Sequence, residues 1–113
     1  MTCDDTTLRK WLDRFVKATG SPVTHYVIGS ESSWGDYGLD GWPPCPRDVV
    51  LTDLENPVLD FPFDEGSGVP DCPAVYAWNA THVFFVSTYD GSTDPGWVPI
   101  TPTECRPQMF GGG

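Results

Sequence analysis

The chain has 113 residues, 39% hydrophobic and 13% aromatic, which is enough for one core and too little for two, while 12 Pro and 12 Gly predict many turns between short elements. Its formal net charge is −10, distributed unevenly: the first 20 residues hold four basic and three acidic side chains, and the rest only Arg47 and Arg106 against thirteen acids. Such a surface repels phosphate backbones and argues against direct nucleic-acid binding; a partner protein with a basic surface, or solubility alone, is the reading it favours.

The N-terminus, MTCDDTTLRKW, carries acids where a signal peptide has a basic region and an apolar run. No stretch approaches the ~18 consecutive apolar residues of a membrane span. A single cytoplasmic domain over 1–113 is therefore expected, with 107–113 as a flexible tail. The first element is a helix from about Thr6 to Thr19. Leu8, Trp11, Leu12, Phe15 and Val16 recur at helical spacing on one face, and Arg9, Lys10, Asp13, Arg14 and Lys17 occupy the other. Asp4, Asp5, Thr6 and Thr7 supply capping oxygens, and Gly20 supplies the left-handed stop.

Val23–Ile28, rich in β-branched and aromatic residues between Pro22 and Gly29, predicts a strand. Asp48–Thr52 predicts a short second one. Leu59, Phe61 and Phe63 alternate with Asp60, Pro62 and Asp64 in a proline-punctuated stretch, which suggests an extended edge segment. Ala74–Trp78 and His82–Tyr89, joined by Asn79-Ala80-Thr81, read as an antiparallel hairpin. Asp90-Gly91 is a second turn signal, after which Trp97–Ile100 can return as a further strand. The strand over 82–89 is apolar on both faces near its middle, so it is expected to be central, with the helix covering one side. The Trp34 to Trp42 loop, or the Phe61 and Phe63 segment, is the expected cover for the other. The elements together predict an α+β fold: one N-terminal helix packed on an antiparallel sheet of four to five strands, with long loops.

The loop SWGDYGLDGWPPCP, residues 33–46, has no regular hydrophobic period. Trp34, Tyr37 and Trp42 are costly to expose, so packing alone explains part of it. Aromatic rings rimmed by Glu31, Asp36 and Asp40 also fit a protein interface that meets a basic partner, or a sugar-binding surface. Within this loop Trp34 and Trp42 are expected mainly to anchor, and Tyr37 with Asp36 and Asp40 to face the partner.

No catalytic signature accompanies these features. Cys3, Cys45, Cys72 and Cys105 lack the close pairing of a zinc knuckle, and buried thiols without metal are the expectation in a reducing compartment. His25 and His82 lie within predicted strands, with no nucleophile elbow nearby; a triad of Cys72 or Cys45 with His82 and an Asp stays open as the enzymatic alternative. The run from Asp90 lacks the glycine and glutamate of a calcium loop. Asn79-Ala80-Thr81 matches a glycosylation acceptor, which has no meaning in a cytoplasmic chain. The terminal Phe110-Gly111-Gly112-Gly113 is similar to the diglycine tail of ubiquitin-like proteins, but those open with a hairpin rather than a helix. No cofactor is implied.

The segment from His82 to Thr93, HVFFVSTYDGST, followed by Val98-Pro99 and preceded by Asp40–Pro44 and Asp48-Val49, resembles small uncharacterised accessory proteins of phages that infect actinobacteria. The likeness covers about a third of the chain and consists of strands and turns. It implies a viral accessory protein and carries over no functional residue. The function expected is binding and modulation of a host or partner protein through an acidic and aromatic surface; a virion structural or carbohydrate-binding module is the other non-enzymatic possibility.

Overall fold

The amphipathic helix forms where the spacing of its apolar side chains places it. The computed structural model describes residues 5–29, 42–64, 72–89, 92–107 and 109; in it α1 spans Leu8–Thr19. Thr7 is the N-cap, its hydroxyl accepting from the Lys10 amide at 3.2 Å. Gly20 ends the helix at φ 81°, where the lack of a Cβ removes the steric penalty, and donates its amide to the Val16 carbonyl at 2.7 Å. Leu8, Trp11, Leu12 and Phe15 are buried, as their shared face requires.

Seven strands accompany the helix among the described residues: β1 Asp5–Thr6, β2 His25–Ile28, β3 Val50–Leu51, β4 Phe63–Asp64, β5 Val75–Trp78, β6 His82–Tyr89 and β7 Ser92–Pro99. Five of them form an antiparallel sheet in the order β3-β2-β5-β6-β7, and β1 pairs with β4 as a separate antiparallel ribbon. The α+β arrangement is therefore the one expected, at the upper strand number. The helix lies across one face of the sheet, with the Phe15 ring 5.6 Å from both Phe84 and Trp97. Tyr26, Ile28, Val75, Ala77 and Phe84 point to that side and are buried in one core with the helix.

Three elements differ from the sequence expectation. The stretch after Pro57 is a 3-10 helix over Pro57–Asp60, not an extended edge. Asn56 caps it by accepting from the Val58 amide at 3.0 Å, and Pro57, which needs no donor and has a helical φ, opens it. Alternation over so few residues concealed a turn that buries Val58 and Leu59. Phe61 and Phe63 then pack with Trp42, at 4.7 and 5.6 Å, while Phe63 meets Trp11 edge-to-face at 5.0 Å. This segment belongs to the core on the helix side and does not cover the opposite face of the sheet. The second expected strand is only Val50–Leu51, because the backbone turns at Asp48, whose φ is 62° and whose amide donates to the Ile28 carbonyl at 2.8 Å. Aspartate is among the few non-glycine residues that tolerate this region.

The last strand is longer than expected and starts at Ser92, running through Pro95. The pairing explains why. Ile100 donates its amide to the Thr81 carbonyl at 2.9 Å, so alternate residues 98, 96 and 94 make the ladder bonds to β6, and Pro95 and Pro99 fall where the nitrogen points away from it. They cost the sheet no bond and remove two donors from its free edge, which blunts that edge against pairing with another strand.

Outside the core, Arg9 holds Asp60 through Nε to Oδ1 at 2.6 Å and also donates to the Leu54 carbonyl at 2.9 Å, tying the exposed side of α1 to the 3-10 helix. The hydrogen bond from Arg9 keeps the Asp60 carboxyl below its ordinary pKa. Among the described residues no helix is long and apolar enough to cross a membrane.

Candidate functional site

Directly opposed residues in a sheet share a face, so the register fixes what each face carries. The face turned away from α1 presents one row of Val50, Val27, Tyr76, Phe85 and Gly96, and a second of His25, Trp78, Val83 and Val98. Beyond them lie Ser87 and Asp94, also opposed. Among these side chains there is no lysine or arginine, and Asp94 is the carboxylate at the border.

This face is open where the helix face is closed. Val50 is 61% exposed, Tyr76 55% and Val98 37%, and the neighbours of Tyr76 along its strand, Val75 and Ala77, lie in the core. Tyr76 and Trp78, two residues apart on β5, meet edge-to-face with ring centroids 6.3 Å apart and planes at 72°. With Val83 and Phe85 they wall a shallow depression of about 460 Å³. Exposed aromatic rings among apolar side chains form a contact surface that a monomeric soluble protein rarely maintains without use. The electronegative ring faces can also accept a guanidinium or ammonium group.

Of the loop's candidate partner-binding residues, Trp42, expected mainly to anchor, lies in the described part and is buried against Phe61 and Phe63. It fastens the C-terminal end of the loop to the core. Glu31, Trp34, Asp36, Tyr37 and Asp40 lie outside the described residues. The turn signal Asp90-Gly91 lies outside them too; the strands on either side of it pair, Tyr89 opposite Ser92.

The residues weighed for catalysis are dispersed. Cys72 is buried and precedes β5, whereas His82 follows the turn at the other end of that strand, and the four residues of β5 separate them by roughly 13 Å. Cys45 packs against the core on the Tyr26 side. The Tyr26 hydroxyl is buried there and donates to the Asp53 carbonyl; desolvation first, and the Asp53 charge second, raise its pKa. His25 and His82 each place Nδ1 beside the hydroxyl of the preceding threonine, at 2.9 Å from Thr24 and 2.8 Å from Thr81. Among the described residues no group of three or more His, Cys, Asp or Glu side chains is arranged to hold a metal ion.

Sequence reasoning did not single out Tyr76, Trp78, Val83, Phe85 and Val98. Their signal is the two-sided apolar pattern of the strand over 82–89, which predicts a central strand covered on both sides. One amphipathic helix covers one face; of the two covers expected for the other, the Phe61 and Phe63 segment packs on the helix side with Trp42, and residues 34–41 of the loop lie outside the described residues. Comparison with protein-family models, with curated proteins and with solved structures finds no match.

Proposed function

We propose that this chain is a non-catalytic binding protein that docks a partner protein of basic surface on the open face of its sheet. The observation that carries the reading is the exposure of Tyr76, Val50 and Val98 around Trp78 and Phe85 on a face free of described lysine and arginine side chains, in a chain of net charge −10. The interface chemistry follows from those residues. Aromatic rings supply the desolvated centre and cation–π acceptors, and the surrounding acids supply long-range attraction. The blunted β7 edge favours docking on the face over strand addition at the edge. The steep angle between Tyr76 and Trp78 favours protein side chains over a sugar, which stacks best on rings lying in one plane. Glu31, Asp36 and Asp40, with Trp34 and Tyr37, enter the same proposal as the acidic and aromatic rim that steers the partner. The resemblance of the segment from His82 to Thr93 to actinobacterial phage proteins makes that partner a host protein, met in the host cytoplasm.

The reading is tested by panning the full chain against a random displayed-peptide library. Enriched peptides should carry Arg or Lys beside an apolar anchor, should lose capture by a Tyr76→Ala, Trp78→Ala protein, and should associate more slowly with Asp36→Lys, Asp40→Lys protein and at higher salt. Enrichment of uncharged peptides, or equal capture by the Tyr76 and Trp78 double variant, would remove the open face from the interaction.

A further inference from the structure

A second concavity lies along β7, and most of its walls differ in kind from the open face. The chain leaves β7 at Pro99 and passes through residues 101–107, which are exposed and have no regular structure. Cys105, Arg106 and Pro107 of this segment and His82, Trp97 and Pro99 of the sheet enclose a cavity of about 360 Å³, within the range of small-ligand sites.

Among the described residues its charge runs against that of the molecule. The chain holds sixteen acids and six Lys or Arg, yet among the described residues no acid lines this cavity, while Arg106 and His82 do. The nearest carboxylates in sequence, Asp94 and Glu104, adjoin wall residues, are exposed and do not line it. Arg9 is engaged by Asp60 and Arg47 donates to the Gly29 carbonyl at 3.2 Å, so those two arginines serve the fold. Arg106 stands at a cavity wall that it shares, among the described residues, with Trp97, three prolines, Val98, Gly96, His82 and Cys105. A guanidinium beside an indole and proline rings matches a ligand with an anionic end and a flat apolar body.

We propose that this cavity binds a small aromatic carboxylate, with the carboxylate on Arg106 and the His82 side and the ring against Trp97 and the prolines. The fork of a guanidinium recognises a planar carboxylate through two parallel hydrogen bonds, which a neutral amide of the same shape cannot match. The cavity shares Gly96 and Val98 with the margin of the open face, but Trp97 and Pro99 oppose Phe84 and His82 on the helix side of the sheet, and Tyr76 and Trp78, which lie on the other, do not line it.

The experiment is a titration of the isotopically labelled full chain, followed by amide shifts, with benzoate and with isosteric benzamide as probes. Benzoate should give saturable shifts confined to residues around His82, Trp97 and Arg106. Benzamide should bind roughly tenfold more weakly or worse, since a hydrogen bond to a charged partner is worth about 1.5 to 3 kcal/mol. Arg106→Gln, at an exposed position, should fold normally and bring benzoate down to the affinity of benzamide. The Tyr76→Ala, Trp78→Ala protein should bind benzoate as wild type does, which keeps this result separate from that of the open face. Equal affinity for the two probes, unchanged benzoate binding by Arg106→Gln, or shifts absent or centred elsewhere would each overturn the proposal.

Discussion

The two faces of the sheet are built from the same strands and have opposite fates. Along β5, Val75 and Ala77 are buried while Tyr76 between them is 55% exposed. One step of the chain moves a side chain from core to solvent, because the pleat alternates faces at every residue. The face toward α1 is filled by Trp11, Phe15, Phe84 and their neighbours, with Phe63 and Trp42 closing its margin. The other face is comparably aromatic and has no helix laid on it among the described residues. Apolar patterning therefore marks a face as worth covering, and the supply of covering elements in the chain decides whether it is covered from within or by a partner.

The largest effect expected from this contrast is on the closed side. Trp11 is 1% exposed and packs on Phe63, so Trp11→Ala removes a large ring and leaves a cavity costing about 3 to 5 kcal/mol. A domain of this size is stable by only about 5 to 15 kcal/mol, so the variant should lose a large part of its stability and unfold at a much lower denaturant concentration. An unchanged midpoint would place the helix face outside the core and break the comparison at its root.

An intermediate effect is expected where the closed side is joined to the hairpin. Asn79 is 4% exposed, and its side-chain oxygen accepts from the amides of Thr81 at 2.9 Å and His82 at 2.7 Å. Its amide nitrogen donates to the Thr19 hydroxyl at 2.8 Å and the Ser21 carbonyl at 3.1 Å, which links the β5–β6 turn to the end of α1. The Asn79-Ala80-Thr81 sequence that matches a glycosylation acceptor is thus a structural turn whose asparagine is already engaged at both ends. Asn79→Ala leaves two amides without their acceptor and should cost about 2 to 3 kcal/mol. Hydrogen exchange checks this locally: the amides of Thr81 and His82 should lose protection more than those in the middle of β6. A uniform loss across the sheet would mean that the turn does not depend on Asn79 in particular.

The sequence discloses the closed side far better than the open one, for reasons that particular residues make plain. Leu8, Trp11, Leu12 and Phe15 repeat over three helical turns, and Thr7 and Gly20 bound them, so local pattern and tertiary burial agree. The hairpin is equally legible from its β-branched and aromatic runs. The 3-10 helix is not, because Leu59, Phe61 and Phe63 imitate a strand while the Asn56 cap and Pro57 that decide the matter occupy only two residues. Strands β1 and β4 have two residues each, too few for any period to show. Pro95 argues against a strand until the pairing parity is known, and that parity depends on contacts with β6. The face carrying Tyr76 and Trp78 was hidden by a global fact: two candidate covers could be named from sequence, and no local signal says on which side Phe61 and Phe63 will pack.

The smallest effect is expected at the open face itself. Tyr76→Thr keeps a β-favouring residue in β5 and removes a ring that solvent already reaches. The loss is the edge-to-face contact with Trp78, and cross-strand or same-face aromatic pairs contribute about 0.2 to 1 kcal/mol, so the unfolding free energy should fall by less than about 1 kcal/mol. The slope of the denaturant transition should stay unchanged, because the surface buried on folding is nearly the same. Binding of a fluorescent hydrophobic dye to the folded protein should fall in the same variant, since the ring forms part of the exposed apolar surface. These readouts must separate for the two faces to differ as described. A destabilisation approaching that of Trp11→Ala would mean that Tyr76 is covered in the isolated chain, and the open face would then be a second core rather than a surface for a partner.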